Sequence, residues 1–147
     1  MKLNLNNYIN IFLLSLLFWL LLPVNSCNKN SDDYIPNVAV DIYMNISSTQ
    51  YTRLATVGGW EYITGGVKGL IVYRKSTTEF VALERNCTYK PSQGCRVQVE
   101  SSGLTVIDSC CMSRFIIIDG SVVNKPATVP LKQYRTAFDG TYLHIYN

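Results

Sequence analysis

Four cysteines are the residues of this chain best suited to chemistry. Cys87 and Cys95 lie in one predicted loop, and Cys110 and Cys111 lie in a second one. Four thiols can form disulfides, bind a metal ion or act as nucleophiles. A zinc site is not favoured, because the spacing contains no Cys-x-x-Cys pair and adjacent cysteines suit tetrahedral ligation poorly. A thiol catalyst would need a neighbouring histidine, and the only histidine, His144, lies in a distant predicted strand.

The segments that must position these loops alternate apolar and polar residues, which is typical of β-strands. Turn residues such as Gly58-Gly59 and Gly65-Gly66 separate them, Asp119-Gly120 predicts a hairpin turn, and Glu84 is interpreted as a strand end. No segment has a sustained helical period. The predicted strands are 38–44, 51–57, 69–74, 79–84, 96–100, 104–107, 114–118, 132–135 and 141–146. This pattern predicts an all-β fold, an antiparallel sandwich or barrel in which the two cysteine loops oppose each other.

The N-terminus has the features of an export signal. Lys2 precedes an apolar run of twelve residues, 11–22, interrupted by a single serine. This run is too short for a membrane span and has the length of a secretory signal. The sequence Val24-Asn25-Ser26-Cys27 resembles the lipobox of bacterial lipoproteins, in which the cysteine is acylated and becomes the first mature residue. We therefore expect a signal peptide over 1–26 and lipidation of Cys27, with ordinary secretion and a free Cys27 as the alternative.

A polar segment after Cys27 separates the expected anchor from the domain. The predicted boundaries are a flexible tether over 27–36 and a β domain over 37–147. The acidic cluster Ser31-Asp32-Asp33 resembles the signals that send some Bacteroidetes lipoproteins to the cell surface, and a plain solvated linker explains it equally well. The expected location is the bacterial cell envelope, lipid-anchored at the outer membrane on its periplasmic or outer face.

Composition limits the classes of partner. Apolar residues make up 48% of the chain and charged residues 16%, which favours a folded core over disorder. The formal charge of +3 is scattered along the sequence. A nucleic-acid site would need a basic stripe with interleaved aromatic residues, so nucleic acid is not an expected partner.

Taken together, the loops and the sequence after them resemble the Rieske [2Fe–2S] domain over roughly residues 69–145. The resemblance depends on the order of a few short motifs along the chain. These are Cys87-Thr88, the nearby Cys95, Cys111-x-Ser113-x-Phe115, Asp119-Gly120, Pro126-Ala127 and Pro130-Leu131. The family implies a Rieske-like β fold and a cluster held by two cysteines on one iron and two histidines on the other.

Carried over position by position, the family's ligand set is not present. Cys87 falls on the first cysteine ligand, Tyr89 on the first histidine, Asp108 on the second cysteine and Cys111 on the second histidine. Shifting the frame so that Cys110 becomes the ligand does not supply a histidine either. We therefore expect no [2Fe–2S] cluster and no other metal, with a cluster bound by atypical ligands as the alternative.

The remaining cysteines match another feature of the family. Respiratory Rieske proteins join their two cluster loops by a disulfide, and the resemblance implies the same bond between Cys95 and Cys110. A second bond between Cys87 and Cys111 is a weaker expectation. In an oxidising envelope such bonds are stable.

The resulting hypothesis is a cell-envelope lipoprotein whose Rieske-like domain has a binding or structural role. Its partners would be the membrane, through the lipid, and an envelope protein that contacts the loops and Tyr89. No residue is predicted to be catalytic. The alternatives are a Rieske-type electron-transfer protein with atypical ligands and a thiol–disulfide carrier that uses Cys87 and Cys111.

Overall fold

The computed structural model describes residues 34–147. The predicted signal peptide, Cys27 and most of the predicted tether lie outside the described residues. Two short 3-10 helices are present, η1 (Thr49–Ala55) and η2 (Pro91–Gln93), and neither has the length and hydrophobicity of a membrane span. The strands are β1 (Asp41–Asn45), β2 (Trp60–Ile63), β3 (Leu70–Arg74), β4 (Phe80–Glu84), β5 (Val97–Val99), β6 (Thr105–Asp108), β7 (Arg114–Ile116), β8 (Val122–Asn124), β9 (Gln133–Phe138) and β10 (Tyr142–Tyr146).

Two antiparallel sheets make up the described part of the chain. The first has six strands in the order β1-β10-β9-β4-β3-β2, and the second has four in the order β5-β6-β7-β8. The four-stranded sheet is a meander inserted in the chain between β4 and β9. The prediction of an all-β, antiparallel Rieske-like fold is confirmed.

The hydrophobic core is divided in two by strands β3 and β4. Side chains alternate between the two faces of a strand, and both faces of these two strands are covered. This explains why their sequences are nearly continuous apolar runs. One face packs against β1, β9 and β10 through buried residues that include Leu70, Val72, Ala82 and Leu143. The opposite face packs against the four-stranded sheet through buried residues that include Ile71, Leu83, Val97, Val106 and Phe115.

The predicted strand over 51–57 is wrong, because residues 51–55 belong to η1 and no strand follows before β2. The Ser48 hydroxyl accepts a hydrogen bond from the backbone N–H of Gln50 (3.3 Å) at the start of the helix. The Arg74 guanidinium donates to the carbonyls of Leu54 (2.8 Å) and Ala55 (3.2 Å) at its end. Leu54 is completely buried in the first core. These tertiary contacts outweigh the β-branched and aromatic composition of the segment.

Strands β2 and β8 were not predicted. No strand was predicted between Gly59 and Gly65, yet β2 begins at Trp60 and pairs with β3. β8 is only three residues long, Val-Val-Asn, which is too short for an alternating pattern to be recognised. Pairing with β7 creates this strand, and that pairing exists only after the second sheet has assembled.

Candidate functional site

The first cysteine loop connects β4 to β5. An isolated antiparallel bridge between Asn86 and Arg96 closes its base, and the N–H of Cys87 donates to the carbonyl of Cys95 (2.9 Å). Lys90 has a positive φ of 47°, at the point where the chain turns into η2. These contacts bury the Cys87 side chain, which is 1% exposed, at the edge of the second core.

The second cysteine loop is the tight connection between β6 and β7. Asp108 organises it: its carboxylate accepts the N–H of Cys110 (2.9 Å), and its carbonyl accepts the N–H of Met112 (2.7 Å). Met112 has a positive φ of 63°, and its side chain is exposed. The N–H of Asp108 donates to the carbonyl of Ser113 (2.9 Å), which closes the loop. Asp108 and Ser113 are both buried.

A disulfide between Cys95 and Cys110 joins the two loops, with a distance of 6.3 Å between the Cα atoms. This is the pairing that the family resemblance implies. Cys87 and Cys111 are free thiols, and their sulfurs lie 3.9 Å apart. The structure therefore places the second expected pair face to face without a bond.

A third loop, 125–131, holds both cysteine loops from the side. The hydroxyl of Ser113 accepts the N–H of Ala127 (2.9 Å), and the hydroxyl of Thr88 donates to the carbonyl of Val129 (2.6 Å). The Lys125–Pro126 bond of this loop is cis. We call the three loops 86–96, 109–113 and 125–131 together the loop tip.

Three of the four positions predicted as former cluster ligands meet in the loop tip. The Cys111 thiol donates to the Asp108 carboxylate (3.0 Å) and lies 3.1 Å from the Ser113 hydroxyl. The ligand atoms of Cys87, Asp108 and Cys111 all lie within 4.8 Å of one another. Cys87 and Asp108 are buried and Cys111 is half-buried. This group of three side chains is therefore accessible to solvent from the side of Cys111.

The fourth position, Tyr89, contributes mainly through its backbone. Its N–H donates to the sulfur of Cys87 (3.5 Å), and its half-buried ring packs at the edge of the second core. The ammonium of Lys90 lies 5.4 Å from the centre of this ring.

His144 takes no part in the loop tip. It lies on β10, where its Nε2 is 2.7 Å from the Asp41 carboxylate and its ring stacks on those of Tyr43 and Tyr146. Because it is the only histidine in the sequence, the loop tip has none of the imidazoles that hold one iron of a Rieske centre. The side-chain donors of the loop tip do not fit a Rieske [2Fe–2S] cluster.

The electrostatics of the loop tip also disfavour a reactive thiolate. Burial, followed by a hydrogen bond with Asp108, raises the pKa of the Cys87 thiol well above its ordinary value. Disulfide exchange requires a thiolate, and efficient carriers lower the pKa of the attacking cysteine. Cys87 is therefore poorly suited to thiol–disulfide transfer.

Glu84 is an important buried group whose role as a hydrogen-bond acceptor was not predicted from the sequence. Its carboxylate is completely buried and accepts four hydrogen bonds. The donors are the N–H groups of Val67 (2.8 Å), Lys68 (2.9 Å) and Asn86 (3.0 Å) and the hydroxyl of Tyr134 (2.8 Å). The bond to Asn86 ties the carboxylate to the start of the first cysteine loop.

A sequence signal for this role of Glu84 does exist. The residue follows Ala82 on the same face of β4, and both faces of this strand are buried. A carboxylate there must find donors, because an unpaired buried charge is very costly. The prediction that Glu84 ends a strand is confirmed, because β4 ends there, and the alternation of this strand also directs the Glu84 side chain into the core.

No protein-family model and no curated protein matches this chain. Among solved structures, it is similar to the cyanobacterial plasma membrane Rieske protein PetC3 from Synechocystis PCC 6803. That match has a TM-score of 0.52 and 17% sequence identity and covers 74% of this chain and 98% of the other. The ferredoxin of carbazole 1,9a-dioxygenase from Nocardioides aromaticivorans IC177 matches with a TM-score of 0.48 and 14% identity, over 74% of this chain and 97% of that one. A chain from a complex of reduced oxygenase and oxidized ferredoxin in carbazole 1,9a-dioxygenase matches with a TM-score of 0.47 and 20% identity. This match covers 71% of this chain and 93% of that one.

The match to PetC3 extends over 74% of this chain, which includes most of the two antiparallel sheets. The chain therefore has a Rieske-like fold. An identity of 17% shows the fold alone, and a fold by itself does not carry a cofactor or an activity.

Proposed function

We propose that this protein is a lipid-anchored protein of the bacterial cell envelope whose Rieske-like domain has lost its iron–sulfur cluster and binds a partner protein through the loop tip. One observation carries the proposal. The loop tip keeps a rigid, cross-linked arrangement of three loops, while the donors for a Rieske cluster are missing. A scaffold of this kind remains useful as a binding surface after its cofactor is gone.

The loss of the cluster is supported by the chemistry of the donor set. The iron that a Rieske centre binds through two imidazoles would meet the phenol of Tyr89 and the thiol of Cys111 instead, and the carboxylate of Asp108 would replace a cysteine on the other iron. Hard oxygen donors match such a centre poorly. The three donors that converge, from Cys87, Asp108 and Cys111, lie within 4.8 Å of one another, which suits one ion better than two.

A binding role is supported by the surface of the loop tip. Its loops are fixed by the Cys95–Cys110 disulfide and by the bonds of Ser113 and Thr88 to the third loop. Two apolar side chains on these loops are exposed, Met112 by 54% and Val129 by 58%. Rigid loops bearing apolar side chains bind with a small entropic cost, because little freedom remains to be lost.

The loss of the iron–sulfur cluster is tested by producing the full chain with iron and sulfide available and then reconstituting it anaerobically. We expect neither iron nor acid-labile sulfide in stoichiometric amounts. Visible absorption together with a rhombic paramagnetic signal after reduction and two irons per chain would instead support the alternative function, an electron-transfer protein with atypical ligands.

The anchor is tested by mass spectrometry of protein taken from its native membrane. We expect a mature N-terminus at Cys27 that carries acyl chains, because the apolar run ends in a lipobox-like sequence. An unmodified Cys27, or any other mature N-terminus, would remove the lipid anchor from the proposal.

The binding surface is tested by cross-linking in intact cells. Val129→Asp should abolish the cross-linked product, because it puts a charge into the apolar part of the loop tip. Val57→Asp is the matched control, since Val57 is similarly exposed (55%) and lies outside the three loops. Equal cross-linking by both variants would contradict the assignment of the loop tip as the interface.

A further inference from the structure

We propose that Cys87, Cys111 and Asp108 form a binding site for a single zinc ion. The spacing of all four cysteines together does not favour a zinc site. In the structure Cys95 and Cys110 form a disulfide, so their sulfurs are not available as zinc ligands. The thiols that remain come from different loops and face each other, with a carboxylate beside them.

The distance between the two sulfurs agrees with this assignment. Zinc–sulfur bonds of about 2.3 Å in a tetrahedral site place two thiolate sulfurs about 3.8 Å apart. The observed distance between the sulfurs of Cys87 and Cys111 is 3.9 Å. A disulfide would require the two sulfurs to approach to about 2.05 Å. The spacing is thus that of two ligands of one ion rather than that of a bonded pair.

Asp108 is placed to be the third ligand. A zinc-bound oxygen lies about 3.6 Å from a zinc-bound sulfur in a tetrahedral site. The Asp108 oxygen is 3.0 Å from the sulfur of Cys111, because the thiol hydrogen lies between them. Replacing that hydrogen by the ion lengthens the contact by about 0.6 Å, which a small rotation of either side chain supplies.

The charge of this carboxylate is a separate reason to expect a cation. Asp108 is 1% exposed, and buried carboxylates are usually paired with a cation or bound to a metal. Within residues 34–147, no lysine, arginine or histidine nitrogen forms an ion pair with Asp108. Its carboxylate accepts hydrogen bonds from the N–H of Cys110 and the thiol of Cys111, and the thiol of Cys87 also faces it. A bound cation would balance the negative charge of the Asp108 carboxylate.

The ligands are also held by hydrogen bonds from outside the site, as is usual for metal ligands. The N–H of Tyr89 donates to the sulfur of Cys87, and the N–H of Cys110 donates to the carboxylate of Asp108. The disulfide fixes the residue next to Cys111. The ion therefore finds its ligands nearly in place.

The donor set selects the metal. Zinc accepts both thiolate sulfur and carboxylate oxygen as ligands, whereas copper(I) prefers sulfur alone and magnesium or calcium prefers oxygen alone. Three protein ligands leave a fourth position, which lies towards the half-buried side of Cys111 and can take water or a ligand from the partner. The inference rests on one part of the proposed function, the loss of the iron–sulfur cluster. It does not depend on the lipid anchor or on the partner protein.

The test uses the full chain, purified under reducing conditions that leave the Cys95–Cys110 disulfide intact. Titration with zinc should give one bound ion per chain, and cobalt(II) should show the spectrum of a tetrahedral site with thiolate ligands. Cys111→Ser and Asp108→Asn should weaken zinc binding by at least about tenfold. Asp119→Asn is the matched control, because this exposed carboxylate accepts the N–H of Ser121, lies outside the proposed site and should leave the affinity unchanged.

A second measurement does not depend on the folding of the variants. Zinc added to the unaltered protein should protect two cysteines per chain from alkylation, and peptide mapping should identify them as Cys87 and Cys111. Failure to bind zinc with both thiols reduced, unchanged affinity in Cys111→Ser, or a Cys87–Cys111 disulfide in protein whose thiols are trapped at lysis would each overturn the inference. Iron and acid-labile sulfide in the protein would overturn the proposed function as well, whereas protein without cluster and without zinc would overturn this inference alone.

Discussion

Glu84→Gln is the most informative perturbation of the fold, because this carboxylate connects the sheet to the first cysteine loop. One carboxylate oxygen accepts the N–H groups of Lys68 and Asn86, and the other accepts the N–H of Val67 and the hydroxyl of Tyr134. Glutamine is nearly isosteric, but it replaces one of these acceptors by an NH2 donor. The substitution therefore changes hydrogen bonding and charge while leaving the volume of the core almost unchanged.

The expected loss of unfolding free energy is estimated for the more favourable of the two orientations of the glutamine amide. With the amide oxygen facing Lys68 and Asn86, the NH2 group faces Val67 and Tyr134. The Tyr134 hydroxyl can turn to accept, but the N–H of Val67 loses its partner, which costs about 1–3 kcal/mol. The bonds that remain no longer involve a charge and weaken by about 1 kcal/mol each. The lower cost of burying a neutral side chain offsets part of this loss, so we expect a net destabilisation of about 2–4 kcal/mol.

Unfolding in urea, followed by circular dichroism under non-reducing conditions, measures this effect. A loss of this size should lower the midpoint by about 1–3 M with little change in slope. Glu79→Gln is the matched control, because the Glu79 side chain is 63% exposed and pairs with Lys75 only at the surface (3.7 Å). We expect it to cost less than about 0.5 kcal/mol. If Glu84→Gln costs no more than Glu79→Gln, the Glu84 network does not stabilise the domain.

Three further substitutions test other parts of the structure. Cys95→Ser removes the bond to Cys110, which closes a loop with a sequence separation of 15, and should cost about 3 kcal/mol in urea unfolding and expose the loops to protease. Tyr134→Phe removes a hydrogen bond to Glu84 and should cost about 1.5–3 kcal/mol at neutral pH. Gly120→Ala should cost about 1 kcal/mol or more by thermal unfolding, because Gly120 has a φ of 72° and an added Cβ would lie 3.1 Å from the third loop.

Each of these predictions has its own control. For the disulfide, unaltered protein treated with reductant should lose as much stability as Cys95→Ser loses. For Tyr134, the pH dependence is the additional test. Burial, followed by the bond to Glu84, raises the pKa of Tyr134, so its contribution is present below about pH 10 and is lost as the pH rises above that value. Tyr134→Phe should therefore lose less stability than the unaltered protein in alkali. For Gly120, the exposed Gly140, where an added Cβ meets nothing within 4 Å, provides the comparison.

The sequence alone determined the fold class and most of the strands. β3 and β4 were predicted because a strand buried on both faces needs a continuous apolar run, and turn residues marked their ends. The order of motifs from Cys87 to Leu131 also indicated the Rieske-like fold. These signals are local, or depend only on order along the chain, so one sequence is enough to detect them.

Only the tertiary structure decided which groups meet. η1 replaced a predicted strand because Arg74, twenty residues away from Leu54 in sequence, satisfies the carbonyls at its end. Glu84 became the centre of a buried network because its donors come from two loops and from β9. The resemblance led us to expect that Cys87 and Cys111 face each other, but only the structure decided that they are free thiols whose sulfurs lie 3.9 Å apart. Contacts across such separations depend on packing, and spacing along the chain does not encode the distance between side chains.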